Sequence, residues 1–204
     1  MHGICVKTAP LTEAEARALD ASRAADNQQR RTATVSLTPN GDGEASVHTT
    51  YTGNQQDRVR RALTDASPRE RREWVRERVD IPSFDLNSAD FSAVDAYRDT
   101  VGLPLTLGLP GYASKTGPRL FLPLNLMQRS KTVPPESDGP RPQPVHAVPY
   151  PFVDIDSVRY EVPAGYEVET MPEPISIDTE FATYEARVTR TEDALIYYRR
   201  LEWR

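Results

Sequence analysis

The stretch ALIYYRRLEWR, residues 194–204, has the clearest β-strand pattern in the chain. Side chains alternate between the two faces of a strand, and here one face collects large apolar residues around one arginine. That face contains Leu195, Tyr197, Arg199, Leu201 and Trp203. A strand needs hydrogen-bonded neighbours, so the stretch predicts a sheet around it. Because the pattern reaches Arg204, we expect the natural chain to continue beyond that residue.

Four shorter runs before this stretch have the same character. They recur at intervals of about ten residues, which is typical of the strands of a β-sandwich or barrel. The runs are VHAVPYPF at 145–152, IDSVRYEVP at 155–163, YEVETMP at 166–172 and FATYEARVTRT at 181–191.

The sequence YEVPAGYEVETMPEP, residues 160–174, predicts a corner between strands. Pro163 and Pro172 cannot donate to a sheet ladder, so we place them where strands end. Gly165 allows the turn between them. We expect three side chains of the corner to pack inward: Tyr166, Val168 and Met171.

The N-terminal half contains a hairpin signal and a leucine-rich run. Residues 32–53 alternate in polarity on both sides of Asn40-Gly41-Asp42-Gly43, whose glycines supply the positive φ angles of a tight turn. Residues 103–109 alternate leucine with other residues, and Pro104 within that run predicts an edge strand or a bulge.

A helix is predicted over residues 67–80. Ser67 and Glu70 have the spacing of a capping box, and Pro68 suits the first helical turn. A narrow apolar stripe follows, made of Trp74, Val75 and Val79. A weaker helix is predicted over residues 11–28, where Thr12 and Glu15 have capping-box spacing but the apolar face is mostly alanine.

Eight arginines cluster in and before the helix at 67–80. A basic cluster binds phosphates or nucleic acid in some proteins. Here Glu70, Glu73 and Glu77 interleave with the arginines at helical spacing, so we interpret the cluster as a solvated face. The arginines are Arg58, Arg60, Arg61, Arg69, Arg71, Arg72, Arg76 and Arg78.

Composition limits the partners of the chain. The net charge of −5 gives no general attraction to nucleic acid or anionic membranes, and we expect neither nucleic-acid binding nor membrane insertion. No apolar run approaches the roughly 20 residues that span a bilayer, and the first ten residues do not form a targeting signal. The single cysteine excludes an internal disulfide.

These patterns predict a mainly β protein with β-sandwich-like antiparallel sheets and one or two short helices. We divide the chain into four segments. They are an N-terminal helical or junction segment (1–30), a β-rich subdomain with the inserted helix 67–80 (31–127), a proline-rich linker (128–145) and a C-terminal β subdomain (146–204). A proline-rich ligand for a recognition domain is an alternative for the linker, although Pro135 and Pro140 form no clean repeat.

Three motifs of the C-terminal half occur in a fixed order: YEVPAGYEVETMP at 160–172, FATY at 181–184 and LIYYR at 195–199. In that order they resemble a domain of unknown function in bacterial proteins, where it follows a transglutaminase-like domain. Ala182 stands where that family usually has glycine. Earlier stretches are also similar to this family, so that the resemblance covers residues 31–204: NGDG at 40–43, YTG at 51–53, SPRER at 67–71 and LFLPLNL at 120–126.

The resemblance implies a non-catalytic accessory domain that positions an upstream transglutaminase-like domain of the same parent chain, or its substrate. It also implies that the parent protein works in the periplasm or otherwise outside the cytoplasm. The rival hypothesis is a module that binds a glycan or a peptide at the cell envelope. A cluster of exposed aromatic side chains on one sheet face would favour that rival.

A catalytic site is not predicted. Transglutaminase-like domains use a Cys-His-Asp triad, and Cys5, His48 and Asp57 occur in that order. A catalytic thiolate needs a helix N-terminus or a cation beside it, whereas Cys5 lies seven residues before the first helix start. His48 lies in an alternating strand. We therefore predict no enzyme activity for this chain, no cofactor and no catalytic or metal-binding residue.

Two further sets of residues have both a functional and a structural interpretation. Asp154 with Asp156, and Asp178 with Glu180, are potential oxygen ligands for Ca²⁺, but we favour strand-end capping or solvation because regular acidic spacing is missing. Aromatic residues are potential groove-lining side chains, and we favour core packing. This aromatic set is Tyr150, Phe152, Tyr160, Tyr166, Tyr184, Tyr197, Tyr198 and Trp203.

Overall fold

The computed structural model describes residues 24–96, 98–127 and 150–204. Its helices are α1 (Gly53–Leu63), α2 (Pro68–Arg78) and α3 (Ser92–Asp95). Its first six strands are β1 (Gln28–Leu37), β2 (Gly43–Thr52), β3 (Asp85–Ala89), β4 (Thr100–Leu109), β5 (Ser114–Thr116) and β6 (Arg119–Phe121). The other four are β7 (Phe152–Glu161), β8 (Ile175–Asp178), β9 (Ala182–Arg190) and β10 (Ala194–Trp203).

Eight of these strands form one sheet in the order β3-β4-β2-β1-β7-β10-β9-β8, and β5 pairs with β6 in a small second sheet. The prediction of a mainly β fold is confirmed. Neighbouring strands of the described sheet are antiparallel except β1 and β7, which run parallel. A parallel pair needs a long crossover, and here the crossover contains everything between residues 37 and 152.

The β1–β7 pair joins the two predicted β subdomains in one sheet. Nine residue pairs align along it, from Gln28 opposite Val153 to Ser36 opposite Glu161. The predicted boundary at 128–145 therefore interrupts the sequence without dividing the sheet. Sequence patterns around the linker did not reveal this pairing, because partner residues are more than 100 positions apart.

One face of the sheet holds the core, and α1, α2 and the segment 112–127 cover it. The main cluster joins Val35 and Leu107 of the sheet to Val75 of α2 and to Tyr160 of β7. A second cluster packs Val59 and Leu63 of α1 on Tyr51 and Leu103. The opposite face is largely polar along β1 and β2, so alternation along each strand decides which residues are buried.

The local signals of the first half are confirmed. β1 and β2 form the predicted hairpin, and Ser67 and Glu70 form the predicted capping box at the start of α2. The helix α1 was not predicted, because it begins without a side-chain cap and has a strongly charged sequence. The helix predicted at 11–28 lies outside the described residues except for its end, where residues 24–26 are helical.

Pro104 does not mark an edge strand, since β4 lies between β2 and β3. Its carbonyl accepts a hydrogen bond from the Asp90 N–H, so the missing N–H also faces the β3 side. The β3 ladder ends there, with Ala89 opposite Leu105, and β3 shifts register between Leu86 and Ser88. The proline thus lies where no ladder hydrogen bond is required of it.

The corner at 160–174 is partly as predicted. β7 ends at Glu161, Gly165 has a φ of 85°, and Val168 packs against the main cluster. Met171 is 40% exposed, so the prediction that it packs inward is wrong. The run at 166–172 is also not a strand, since the chain is irregular until β8 begins at Ile175.

Candidate functional site

A row of charged side chains is buried in the centre of the sheet. Arg31 of β1, Asp156 of β7 and Arg199 of β10 lie opposite one another on adjacent strands, and each is at most 6% exposed. Asp156 Oδ1 is 2.9 Å from Arg31 Nη1, and Oδ2 is 3.3 Å from Arg199 Nη1. One carboxylate therefore faces two guanidinium groups, and positive charge is in excess in this buried row.

Asp154 is the second buried carboxylate of β7. Its Oδ1 accepts a hydrogen bond of 2.9 Å from Gln55 of α1, whose amide also donates to the Asn27 carbonyl. Burial raises the pKa of Asp154, and the Gln55 hydrogen bond and Arg199 oppose that rise. The two aspartates are therefore neither strand-end caps nor solvated groups, and that interpretation was wrong because β7 carries both toward the core.

The other acidic pair lies at the surface. Asp178 accepts from Thr183 and pairs with Arg204 at 2.9 Å, and Glu180 is exposed in the β8–β9 turn. Hydrogen bonding to Thr183 and the charge of Arg204 hold the pKa of Asp178 below its usual value. In the described part of the chain, no group of three or more His, Cys, Asp or Glu side chains is arranged to hold a metal ion.

A cavity of about 450 Å³ lies beside the buried row, between the sheet and the helices α1 and α2. Arg31, Arg58 and Arg78 reach it from β1, α1 and α2 respectively. Arg58 Nη1 is 3.5 Å from the Tyr150 hydroxyl, and the Arg78 guanidinium lies 4.0 Å from the ring centre of Trp74. The cavity therefore combines cations, hydroxyl groups and an aromatic ring.

The solvated-face interpretation, with arginines paired to glutamates at helical spacing, holds for Arg69, whereas Arg71 and Arg72 contact other elements. Arg69 pairs with Glu73 one helical turn away, and Arg71 pairs with Asp95. Arg72 donates to the Leu86 carbonyl. Arg58 and Arg78 are different, because they border the cavity. The sequence does not reveal this difference, because it depends on which sides of α1 and α2 face the cavity.

The residues considered for a cysteine triad are not brought together among the described residues. His48 lies on the polar face of β2, whereas Asp57 is exposed on α1, which packs over the opposite face through Val59. Cys5 lies outside the described residues.

Two of the eight aromatic residues of the predicted set lie in the core. Tyr160 and Tyr197 are buried, and Tyr160 stacks on Tyr112 with ring centres 6.3 Å apart. The preference for core packing is confirmed for these residues, and the rest of the predicted set is half-buried. The exposed aromatic side chains are instead Phe121 and Phe181, which the sequence analysis did not single out.

An apolar edge, formed by Met171, Ile175, Ile177 and Phe181, lies at the end of the sheet. Ile175 and Ile177 are each 51% exposed, and Phe181 is 63% exposed. Within the described sheet β8 has only β9 as a neighbour. Pairing with Ala186 and Tyr184 shows that both isoleucines lie on the face that holds the core elsewhere. The apolar face of the sheet therefore extends beyond α1, α2 and the segment 112–127, which cover the rest of it.

Comparison with known proteins gives one family match. Residues 118–204 match a domain of unknown function with a solved structure, DUF3858. The resemblance to a domain of unknown function is confirmed over this range, which includes β6 to β10 and is shorter than the expected 31–204. No curated protein and no solved structure matches the chain. No helix of the described residues is long and apolar enough to span a membrane.

Proposed function

We propose that this chain is a non-catalytic accessory β domain of a longer transglutaminase-like protein, in which it positions the catalytic domain or its substrate. The observation that carries the proposal is the apolar edge at β8. The order of the sequence motifs and the DUF3858 match over 118–204 support the choice of parent. By the same resemblance, the parent protein works in the periplasm or otherwise outside the cytoplasm.

The apolar edge suits a surface that another domain covers. Single exposed apolar side chains are ordinary, but an edge strand that also shows apolar residues invites pairing and aggregation unless it is covered. Burying the exposed half of Ile175, Ile177 or Phe181 contributes about 1 kcal/mol each, at about 25 cal/mol per Å². This free energy is sufficient to dock a domain that belongs to the same chain, because the covalent linkage raises the effective concentration of that domain.

The upstream transglutaminase-like domain of the same chain is the occupant that we propose. Glu167, Glu173 and Glu180 are close in sequence to the apolar edge, and all three are exposed. A docking surface with an apolar centre and basic residues at its rim would complement this arrangement.

The rival function is a glycan- or peptide-binding module at the cell envelope. This rival function predicts a cluster of exposed aromatic side chains on one face of the sheet. The exposed large apolar residues of the described chain include only two aromatics, Phe121 on β6 and Phe181 beside β9. The docking role is thus the one that the surface supports better, and binding of the isolated chain to cell-wall material would favour the rival.

The test compares Ile177→Glu with Thr189→Glu in the parent protein and in this chain alone. Thr189 is exposed on β9 and belongs to the opposite face, so it is a matched control. Both variants should leave thermal unfolding of the isolated chain nearly unchanged. In the parent, only Ile177→Glu should lower the thermal transition or narrow the substrate range. A parent that is unaffected by Ile177→Glu, and by deletion of the whole segment, would contradict the proposal.

A further inference from the structure

Three arginines from separate elements converge on the cavity between the sheet and the helices. Arg31 is fixed by Asp156 and by a hydrogen bond from its Nε to Thr49. Arg78 is partly buried, and this burial lowers its pKa, while Tyr51 and Glu77 oppose the shift and repulsion from Arg58 adds a smaller lowering effect. Cations that are held close together and partly desolvated raise the free energy of the empty cavity, and a bound anion would relieve that cost.

Arg58 and Arg78 have no hydrogen-bonded carboxylate among the described residues. Asp156 and Asp154 lie beneath it with Arg31 and Arg199, and Asp80 lines it. Among the described residues, neither Arg58 nor Arg78 has a carboxylate within hydrogen-bonding distance, since Glu77 is 3.7 Å from Arg78 and largely exposed. Glu77 offsets part of the Arg78 charge, so Arg58 is the cavity arginine without an ion pair in the described part of the chain.

The remaining lining is suited to an organic molecule. Trp74, Leu103 and Leu105 give the cavity an apolar wall, and Gln29 and Tyr51 add polar groups. The Trp74 Nε1 is buried and has no hydrogen-bond partner among the described residues. A volume of about 450 Å³ falls within the range of small-molecule sites.

We propose that this cavity binds a small organic monoanion, a carboxylate whose charged group meets Arg58 and Arg78 and whose apolar body lies against Trp74. The planar guanidinium groups match the two oxygens of a carboxylate. An organic carboxylate also has an apolar body that can lie against the Trp74 wall, which inorganic phosphate lacks. The site lies on the helices and the inner strands, so it does not depend on docking at β8.

Tryptophan fluorescence reports on the site directly. The chain has two tryptophans, so Trp203→Phe leaves Trp74, in the cavity wall, as the only reporter. The probes are benzoate, 3-phenylpropionate and N-acetylphenylalanine, each beside its uncharged amide, with inorganic phosphate as a further comparison. Calorimetry on the unmodified 204-residue chain measures the same ligands without the substitution.

At least one carboxylate should bind saturably and more tightly than its amide, by about tenfold, as loss of a charged hydrogen bond predicts. Arg58→Gln and Arg78→Gln should each weaken binding by about tenfold. Arg61→Gln and Arg76→Gln are matched controls, since these arginines are exposed on the same helices and do not line the cavity, and they should leave binding unchanged.

Three outcomes would overturn the proposal. The first is that no carboxylate of the panel saturates the signal. The second is that amides bind as tightly as acids, or that the control variants weaken binding as much as Arg58→Gln and Arg78→Gln. The third is that phosphate binds more tightly than every carboxylate. Circular dichroism of each variant identifies loss of folding, and Arg58→Lys, which keeps the charge, should retain more binding than Arg58→Gln.

Discussion

Asp156 holds together the buried charge row. Asp156→Asn preserves the shape of the side chain but removes the ion-pair partner of both Arg31 and Arg199 and leaves Asp154 as the only nearby buried carboxylate among the described residues. Removing one partner of a buried ion pair costs about 3–5 kcal/mol, so we expect a loss of that size in urea unfolding. Asp193→Asn is the control, because its pair with Arg159 is at the surface and should contribute little. Equal effects of the two substitutions would contradict the assigned role of Asp156.

Asp154 gives the same region a pH dependence. Its folded-state pKa is raised, chiefly by burial, so its contribution to stability is full below the unfolded pKa and is lost as the pH rises through the folded pKa. Asp154→Asn cannot titrate but can still accept the Gln55 hydrogen bond. Above roughly pH 4, the ordinary pKa of aspartate, the variant should therefore gain stability relative to the natural chain. Urea midpoints over acidic to neutral pH measure this difference, and a constant difference would contradict it.

At the scale of a single element, the turn of the β1–β2 hairpin docks on another segment of the chain. This contact depends on Gly41. Gly41 has a φ of 94°, and a Cβ there would lie 2.1 Å from the Ala113 carbonyl oxygen. Gly41→Ala should cost more than about 2 kcal/mol, because a left-handed backbone and a clash act together. Gly111 has a φ of 62°, and a Cβ at this position would meet no atom within 4 Å. Gly111→Ala should therefore cost only the backbone penalty of about 1 kcal/mol. Chemical denaturation of both variants measures the difference, and similar losses would show that the contact with Ala113 is unimportant.

The same elements show what sequence patterns can predict. The hairpin and the cap of α2 follow from residues within a few positions of each other, and both were predicted correctly. The ion pair of Arg31 with Asp156 joins residues 125 positions apart, and only the strand order brings them together. The position of the cavity depends on the same long-range arrangement. The one local sign of this buried charge row in the sequence is Arg199 within an apolar strand face, because a buried charge requires a partner.

At the scale of the whole molecule, the β1–β7 pair makes the two halves of the sheet one unit. A protease site introduced into residues 128–145 should therefore allow cleavage without separation, because nine residue pairs still join the halves. We expect the two fragments to elute together in size-exclusion chromatography and to unfold in one transition. Fragments that separate and remain folded would instead support two independent subdomains. An inserted site whose cleavage abolishes folding altogether would contradict the expected association.

The family match has a related consequence. It includes β7 to β10 but not β1 to β4, so the segment that matches DUF3858 supplies four of the eight strands of the large sheet. At the inner border of this segment, β7 pairs with β1. Its outer border is β8, which carries the apolar edge. We therefore expect partner contacts of the parent protein at the outer border.

Hydrogen exchange of the β8 amides tests the docking role most directly. The rate is measured for residues 175–178 in this chain alone and in the full parent protein, with the internal strand β7 as reference. Docking of the upstream domain on the apolar edge predicts that β8 exchanges more slowly in the parent while β7 is unchanged. Equal exchange of β8 in the two proteins would contradict the proposed accessory role.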